Sequence, residues 1–83
     1  MALFLVRHDE DRTISEELLL PLDRFELAPG LILVDSALGL SPLYHRIKWA
    51  LPPGSALFVA PLAAAPKFKG MERGALSWLR ARR

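Results

Sequence analysis

Three segments of this chain are apolar at both alternating positions, and that pattern limits the possible folds more than any other feature. In residues 2–8, Leu3 and Leu5 oppose Phe4 and Val6 across the pleat; in residues 55–62, Leu57 and Val59 oppose Phe58 and Ala60. Residues 31–35, Leu-Ile-Leu-Val-Asp, follow the same pattern. Successive side chains of a strand point to opposite faces, and an antiparallel sheet with one wet face alternates apolar with polar residues. Both faces of this sheet therefore need a cover. Helices supply one; a terminal helix, a second subunit or both must supply the other.

The covering elements have their own signals. Thr13-Ile14-Ser15-Glu16 is a capping-box pattern that predicts a helix start. Ile14 and Leu18 share its face, and Pro21 ends it after about two turns. Phe25-Glu26-Leu27, the turn Ala28-Pro29-Gly30 and the strand at 31–35 predict a hairpin whose first, weaker strand lies at a sheet edge. Ser41 suits an N-cap and Pro42 the first helical position. Leu43, Ile47, Ala50 and Leu51 then fall on one helical face, and Pro52-Pro53-Gly54 stops the helix. A strand from Ser55 to Leu62 follows. Met71, Ala75, Trp78 and Leu79 repeat with helical spacing towards the C-terminus, with Gly74 inside the run costing about 1 kcal/mol relative to alanine.

The order is β-α-β-β-α-β with a terminal helix. It predicts an α+β, ferredoxin-like domain spanning residues 1–83: an antiparallel sheet with two helices on one face. A small flavodoxin-like three-layer α/β fold is the alternative if the hairpin does not form.

With 83 residues and no cysteine, such a domain has few means of support. A chain of this size buries only about 60% of its unfolded surface, disulfides are excluded, and His8 and His45 make a poor zinc site. Self-association as a homodimer is the expectation. No stretch approaches the roughly 18 apolar residues of a membrane span. The apolar start runs into Arg7-His8-Asp9-Glu10-Asp11 rather than a cleavage site. The chain is thus expected to be cytoplasmic, without membrane contact.

Charge is divided unevenly. Residues 1–41 hold eight acids and three bases, and residues 42–83 hold eight bases and one acid, Glu72. Such asymmetry points to a polyanionic partner, or to halves that neutralise each other within the fold or across a dimer.

Residues 55–80, with Ser-Ala-Leu-Phe-Val-Ala-Pro-Leu, Lys69-Gly70 and Ser77-Trp78-Leu79-Arg80, resemble the C-terminal part of SinR-type proteins. These are relatives of the small CRISPR-associated adaptation nucleases. The helix Leu43 to Leu51 and the first strand ending in Asp9 fit the same resemblance. It implies a ferredoxin-like dimer. In nuclease members the strand-one acid of each subunit meets its counterpart near the dimer axis to hold a divalent metal, and only Asp9 carries over. Leu3 to His8 also resembles the opening strand of histidine phosphatases, but Asp9 stands where their glycine does and sets a carboxylate in the phosphate position.

Two candidate sites emerge. Asp9, with Glu10 and Asp11 beside it, offers oxygen ligands for Mg²⁺ or Mn²⁺; a solvated turn is the other reading of the three acids. The basic half interleaves rings with cations, as single-strand binding requires, and the candidate contacts are Arg46, Lys48, Trp49, Lys67, Lys69, Arg80 and Arg82. Trp49 falls with His45 and Lys48 opposite the apolar stripe, so it either stacks on bases or packs against the C-terminal helix or a second subunit. The expected function is nucleic-acid contact by a homodimer through its basic half. A non-catalytic protein-interaction module and a metal-dependent nuclease using Asp9 are the alternatives.

Overall fold

The structure, a computed structural model, describes residues 2–9 and 22–82. Four strands, β1 (Ala2–His8), β2 (Asp23–Ala28), β3 (Leu31–Ser36) and β4 (Leu57–Pro61), form one sheet in the order β2-β3-β1-β4. Every neighbouring pair is antiparallel. The parallel sheet of the flavodoxin-like alternative is thereby overturned: the hairpin forms, and it fixes the direction of β3. Two helices are present among the described residues, α1 (Leu40–Ala50) and α2 (Ala75–Arg80). The helix expected from Thr13 to Pro21 lies outside the described residues.

The hairpin turns at Pro29-Gly30, where proline's fixed φ and a glycine φ of 79° fit a type II turn. A type II turn alone would splay the strands. The register slips between Glu26 and Ala28, and a bulge of this kind adds the local twist that lets the strands stay paired.

The two apolar sets of the strands do separate into two cores. On one face Phe4, Val6, Ile32 and Val34 pack with Leu43, Ile47 and Ala50 of α1 and with Leu51. On the other, Leu33 and Leu27 pack with Ala75 and Leu79 of α2. Leu62, Phe68, Met71 and Trp78 border this second core. The second cover is thus mostly an irregular strap, residues 62–74, that ends in a short helix. Because the strap and α2 cover it, the two-sided apolar pattern does not by itself call for a second subunit.

Both helix starts differ from expectation. Gly39, not Ser41, is the N-cap of α1, and no side chain caps it. Pro42 therefore stands third in the helix. The first four N–H groups of a helix have no intrahelical partner, so a proline there removes no bond, and Leu43 N–H makes the first one to Gly39 O at 3.1 Å. The preceding turn is held by the buried Ser36, whose Oγ accepts the Leu38 N–H at 3.0 Å. Gly74 does not interrupt α2 but begins it. Its φ of 92° is left-handed, a conformation that glycine adopts without penalty, and Met71 lies in the strap ahead of it.

Candidate nucleic-acid interface

α1 uses one face for the core and turns the other outward. Leu43, Ile47 and Ala50 are buried. At 100° per residue His45 and Trp49 lie opposite them, with Lys48 and Arg46 on either side. Trp49 is 74% exposed. Its ring centroid is 6.2 Å from that of His45, which is 5.3 Å from Tyr44 in an edge-on contact. The three rings form a row, and Trp49 is the ridge between two open grooves. One groove is lined by Tyr44, Lys48 and Pro52, the other by Leu38, Pro42 and Arg46. Among the described residues no carboxylate lies within ion-pair distance of Arg46 or Lys48.

The remaining candidate cations are elsewhere. Lys67 and Lys69 belong to the strap, Arg80 ends α2 and Arg82 follows it, on the opposite side of the sheet. Of the seven candidates, Arg46, Lys48 and Trp49 are the three on α1. The expected basic half is therefore two surfaces, because the chain from 42 to 83 crosses from one face of the sheet to the other through β4.

Arg82 is engaged inside the protein. Its Nε and Nη2 donate to the two carboxylate oxygens of Asp23 at 2.8 and 2.6 Å. Nη1 donates to the Trp78 carbonyl at 2.8 Å, and the guanidinium lies 3.9 Å from the centre of the Trp78 ring. Asp35 Oδ2 is a further 3.8 Å contact. Three of the five N–H donors of this guanidinium are thus committed within the protein, and its face is stacked on a ring. The contact ties a base of the second half to acids of the first. Trp78 is half-buried between Phe25, 6.1 Å away, and Arg82.

Asp9 also has a defined partner. Its Oδ2 accepts the Ala56 N–H at 2.8 Å, joining the end of β1 to the approach to β4. The Asp9 carbonyl accepts from His8 Nδ1 at 3.0 Å. Among the described residues no group of three metal-ligating side chains occurs, whereas a hard cation takes six or more oxygens. Asp9 is the one member of the expected acidic trio among the described residues, and one of its carboxylate oxygens is taken by the Ala56 N–H. Glu10 and Asp11 lie outside the described residues.

No helix among the described residues is long and apolar enough to cross a membrane. No family model matches the chain, and no curated protein or solved structure matches it either.

The ring row was only partly visible in the sequence. Spacing alone turns Trp49 outward, but His45 reads as an ordinary surface histidine unless its i, i+4 relation to Trp49 is noticed. The Arg82 lock has one sequence signal, the opposed charge of the two halves, and that signal does not identify the partners.

Proposed function

We propose that this protein is a non-enzymatic binding module that contacts single-stranded nucleic acid through the outer face of α1. The observation that carries the reading is a tryptophan 74% exposed in a row with His45 and Tyr44, between Arg46 and Lys48. A largely apolar ring of this size is normally withdrawn from water, and base stacking uses such platforms at about 1–3 kcal/mol per base. Two cations are enough to hold two phosphates, which sets a log–log salt slope of about −1.4 for a single strand. The contact is largely indifferent to sequence, since every base has a face to stack on the ring.

The ferredoxin-like identity of the domain belongs to the same reading. Support comes from the order β4-β1-β3-β2 in an antiparallel sheet, with α1 carrying the chain from β3 across β1 to β4. β1 and β2 lie on either side of β3, as the first half of such a fold requires. The SinR-type resemblance points to the same fold.

A second reading, a protein-interaction module, is favoured by the groove beside Trp49, where Leu38 and Pro42 provide apolar lining. Fluorescence anisotropy with labelled single-stranded and duplex DNA and RNA at low salt separates the two. Single strands should bind better than duplex, and Trp49→Ala should weaken the single strand by about 5- to 100-fold. No binding at tens of micromolar protein, or an unchanged affinity in Trp49→Ala, would overturn the nucleic-acid reading and leave the apolar groove as the interaction surface.

A further inference from the structure

We infer that β4 is a docking edge for a second copy of this chain, the two β4 strands pairing antiparallel about a two-fold axis at Phe58. The inference is independent of the nucleic-acid reading and uses different residues.

The two edges of the sheet are treated differently. On β2, Asp23, Arg24 and Glu26 put charges along the strand, the Leu27 carbonyl accepts the Glu72 N–H at 2.8 Å, and Arg82 holds Asp23. Charges and covering contacts of this kind are how a sheet keeps an edge from pairing. β4 reads Leu-Phe-Val-Ala-Pro, without a charge. Phe58 is 59% exposed on the strap side of this edge, opposite Arg7 of β1.

The backbone of β4 is self-complementary in one register only. Leu62 N–H bonds to Leu3 O at 2.9 Å. With Leu5 opposite Ala60 and Arg7 opposite Phe58, the alternation of an antiparallel ladder places Ala60 and Phe58 in its hydrogen-bonded pairs with β1. Leu57 and Val59 then direct their N–H and C=O groups away from the sheet, and among the described residues no further hydrogen bond reaches them. An axis at Val59 would set Leu57 against Pro61, which has no N–H to give. An axis at Leu57 would set Val59 against Ser55, whose N–H is already bonded to Pro52 O at 3.2 Å. An axis at Phe58 sets Leu57 against Val59 of the other copy twice over, and all four outward donors and acceptors of each pair are met.

That axis also disposes of the exposed ring. Phe58 would face Phe58 of the second copy at a non-hydrogen-bonded position, where opposed side chains are closest and aromatic pairs are favourable. The row across the joined sheets becomes Arg7, Phe58, Phe58, Arg7, so no like charges are adjacent. Such an isologous contact closes on itself and leaves both sheet faces covered as they are.

The test uses the full chain. Sedimentation equilibrium should give a dimer with a dissociation constant on the order of micromolar to tens of micromolar, as a small interface allows. Phe58→Lys should weaken it by about tenfold or more while the monomer's melting temperature is unchanged. Because the chain has no cysteine, Phe58→Cys provides a second readout that does not depend on the ring. On oxidation it should cross-link as a covalent dimer, while Ser77→Cys on α2 should not. A wild type that stays monomeric at about 100 micromolar, far above such a constant, overturns the inference. So does a dimer that Phe58→Lys leaves intact, or Phe58→Cys cross-linking no faster than Ser77→Cys.

Discussion

The two covers of the sheet perform the same task by opposite means. α1 is one regular helix whose stripe of Leu43, Ile47 and Ala50 repeats every turn. The cover formed by residues 62–82 anchors at Leu62, Phe68, Met71, Ala75, Trp78 and Leu79, at no constant spacing, and only six of its residues are helical. A periodic cover separates its surfaces: one face goes to the core and the other is left for rings and charges. An aperiodic cover lacks that separation and must be fastened point by point. Glu72 to Leu27 is one such fastening, and Arg82 to Asp23 is another. The difference explains why the bases of α1 face outward while a base of the second cover, Arg82, is taken up by Asp23.

If both covers are integral to one cooperative core, emptying either should have a similarly large effect. Leu43 and Leu79 are each almost fully buried, one under each cover. Leu43→Ala and Leu79→Ala should each destabilise the protein by about 2–5 kcal/mol, read as shifts in the urea midpoint at constant m-value. A strap that is merely a flap would break this symmetry: Leu79→Ala would then cost well under 1 kcal/mol and would lower the m-value.

The next effect is confined to the irregular cover. Gly74 has a φ of 92°, and a Cβ there would meet Phe25 only at ordinary contact distance, 3.7 Å. Steric crowding is therefore absent and the backbone term acts alone. Gly74→Ala should cost about 1–2 kcal/mol, the penalty of a left-handed residue. An unchanged thermal midpoint would mean that the strap can enter α2 by another route.

These differences also decide what was readable in the sequence. The strands, the hairpin and the face of α1 follow from period and from turn residues, signals that are local. The strap was not readable as a strap. Met71, Ala75, Trp78 and Leu79 fit a helical wheel, but the positive φ of Gly74 starts the helix at Ala75, and the segment ahead of it is held by tertiary bonds instead. Gly74 looked like a flaw in a helix because its conformation cannot be seen in its identity. The candidate site divided in the same way: Trp49 facing outward was legible, whereas Lys67, Lys69, Arg80 and Arg82 were grouped with it only because adjacency in the chain hid the sheet between them.

The Arg82 fastening should be real but modest. Asp23 is partly exposed, 42% of its side chain, and exposed ion pairs are worth about 1 kcal/mol or less. Stacking on Trp78 adds about 0.5–1 kcal/mol. Arg82→Ala should therefore cost about 1–2 kcal/mol, and a double-mutant cycle with Asp23→Ala should return a coupling near 0.5–1 kcal/mol that shrinks in high salt. Zero coupling at low salt would remove the pair as a fastening and leave only the packing of Trp78.

The smallest effect on stability sharpens the contrast most, because each cover carries one of the two tryptophans. Trp78 is wedged between Phe25 and Arg82, so Trp78→Ala should cost about 2–3 kcal/mol, less than a fully buried aromatic. Trp49 is 74% exposed and stands beside His45, so Trp49→Ala should change stability by no more than about 0.5 kcal/mol. Fluorescence separates the same two residues without unfolding anything. In Trp78→Phe the remaining emission, from Trp49, should be red-shifted and readily quenched by acrylamide; in Trp49→Phe it should be blue-shifted and shielded. Single-stranded oligonucleotide should quench the first protein and not the second, since stacking needs the ring on α1. If Trp49 proved as shielded as Trp78, the outer face of α1 would not be open, and the division of labour between the periodic and aperiodic covers would fail at the residue on which it depends.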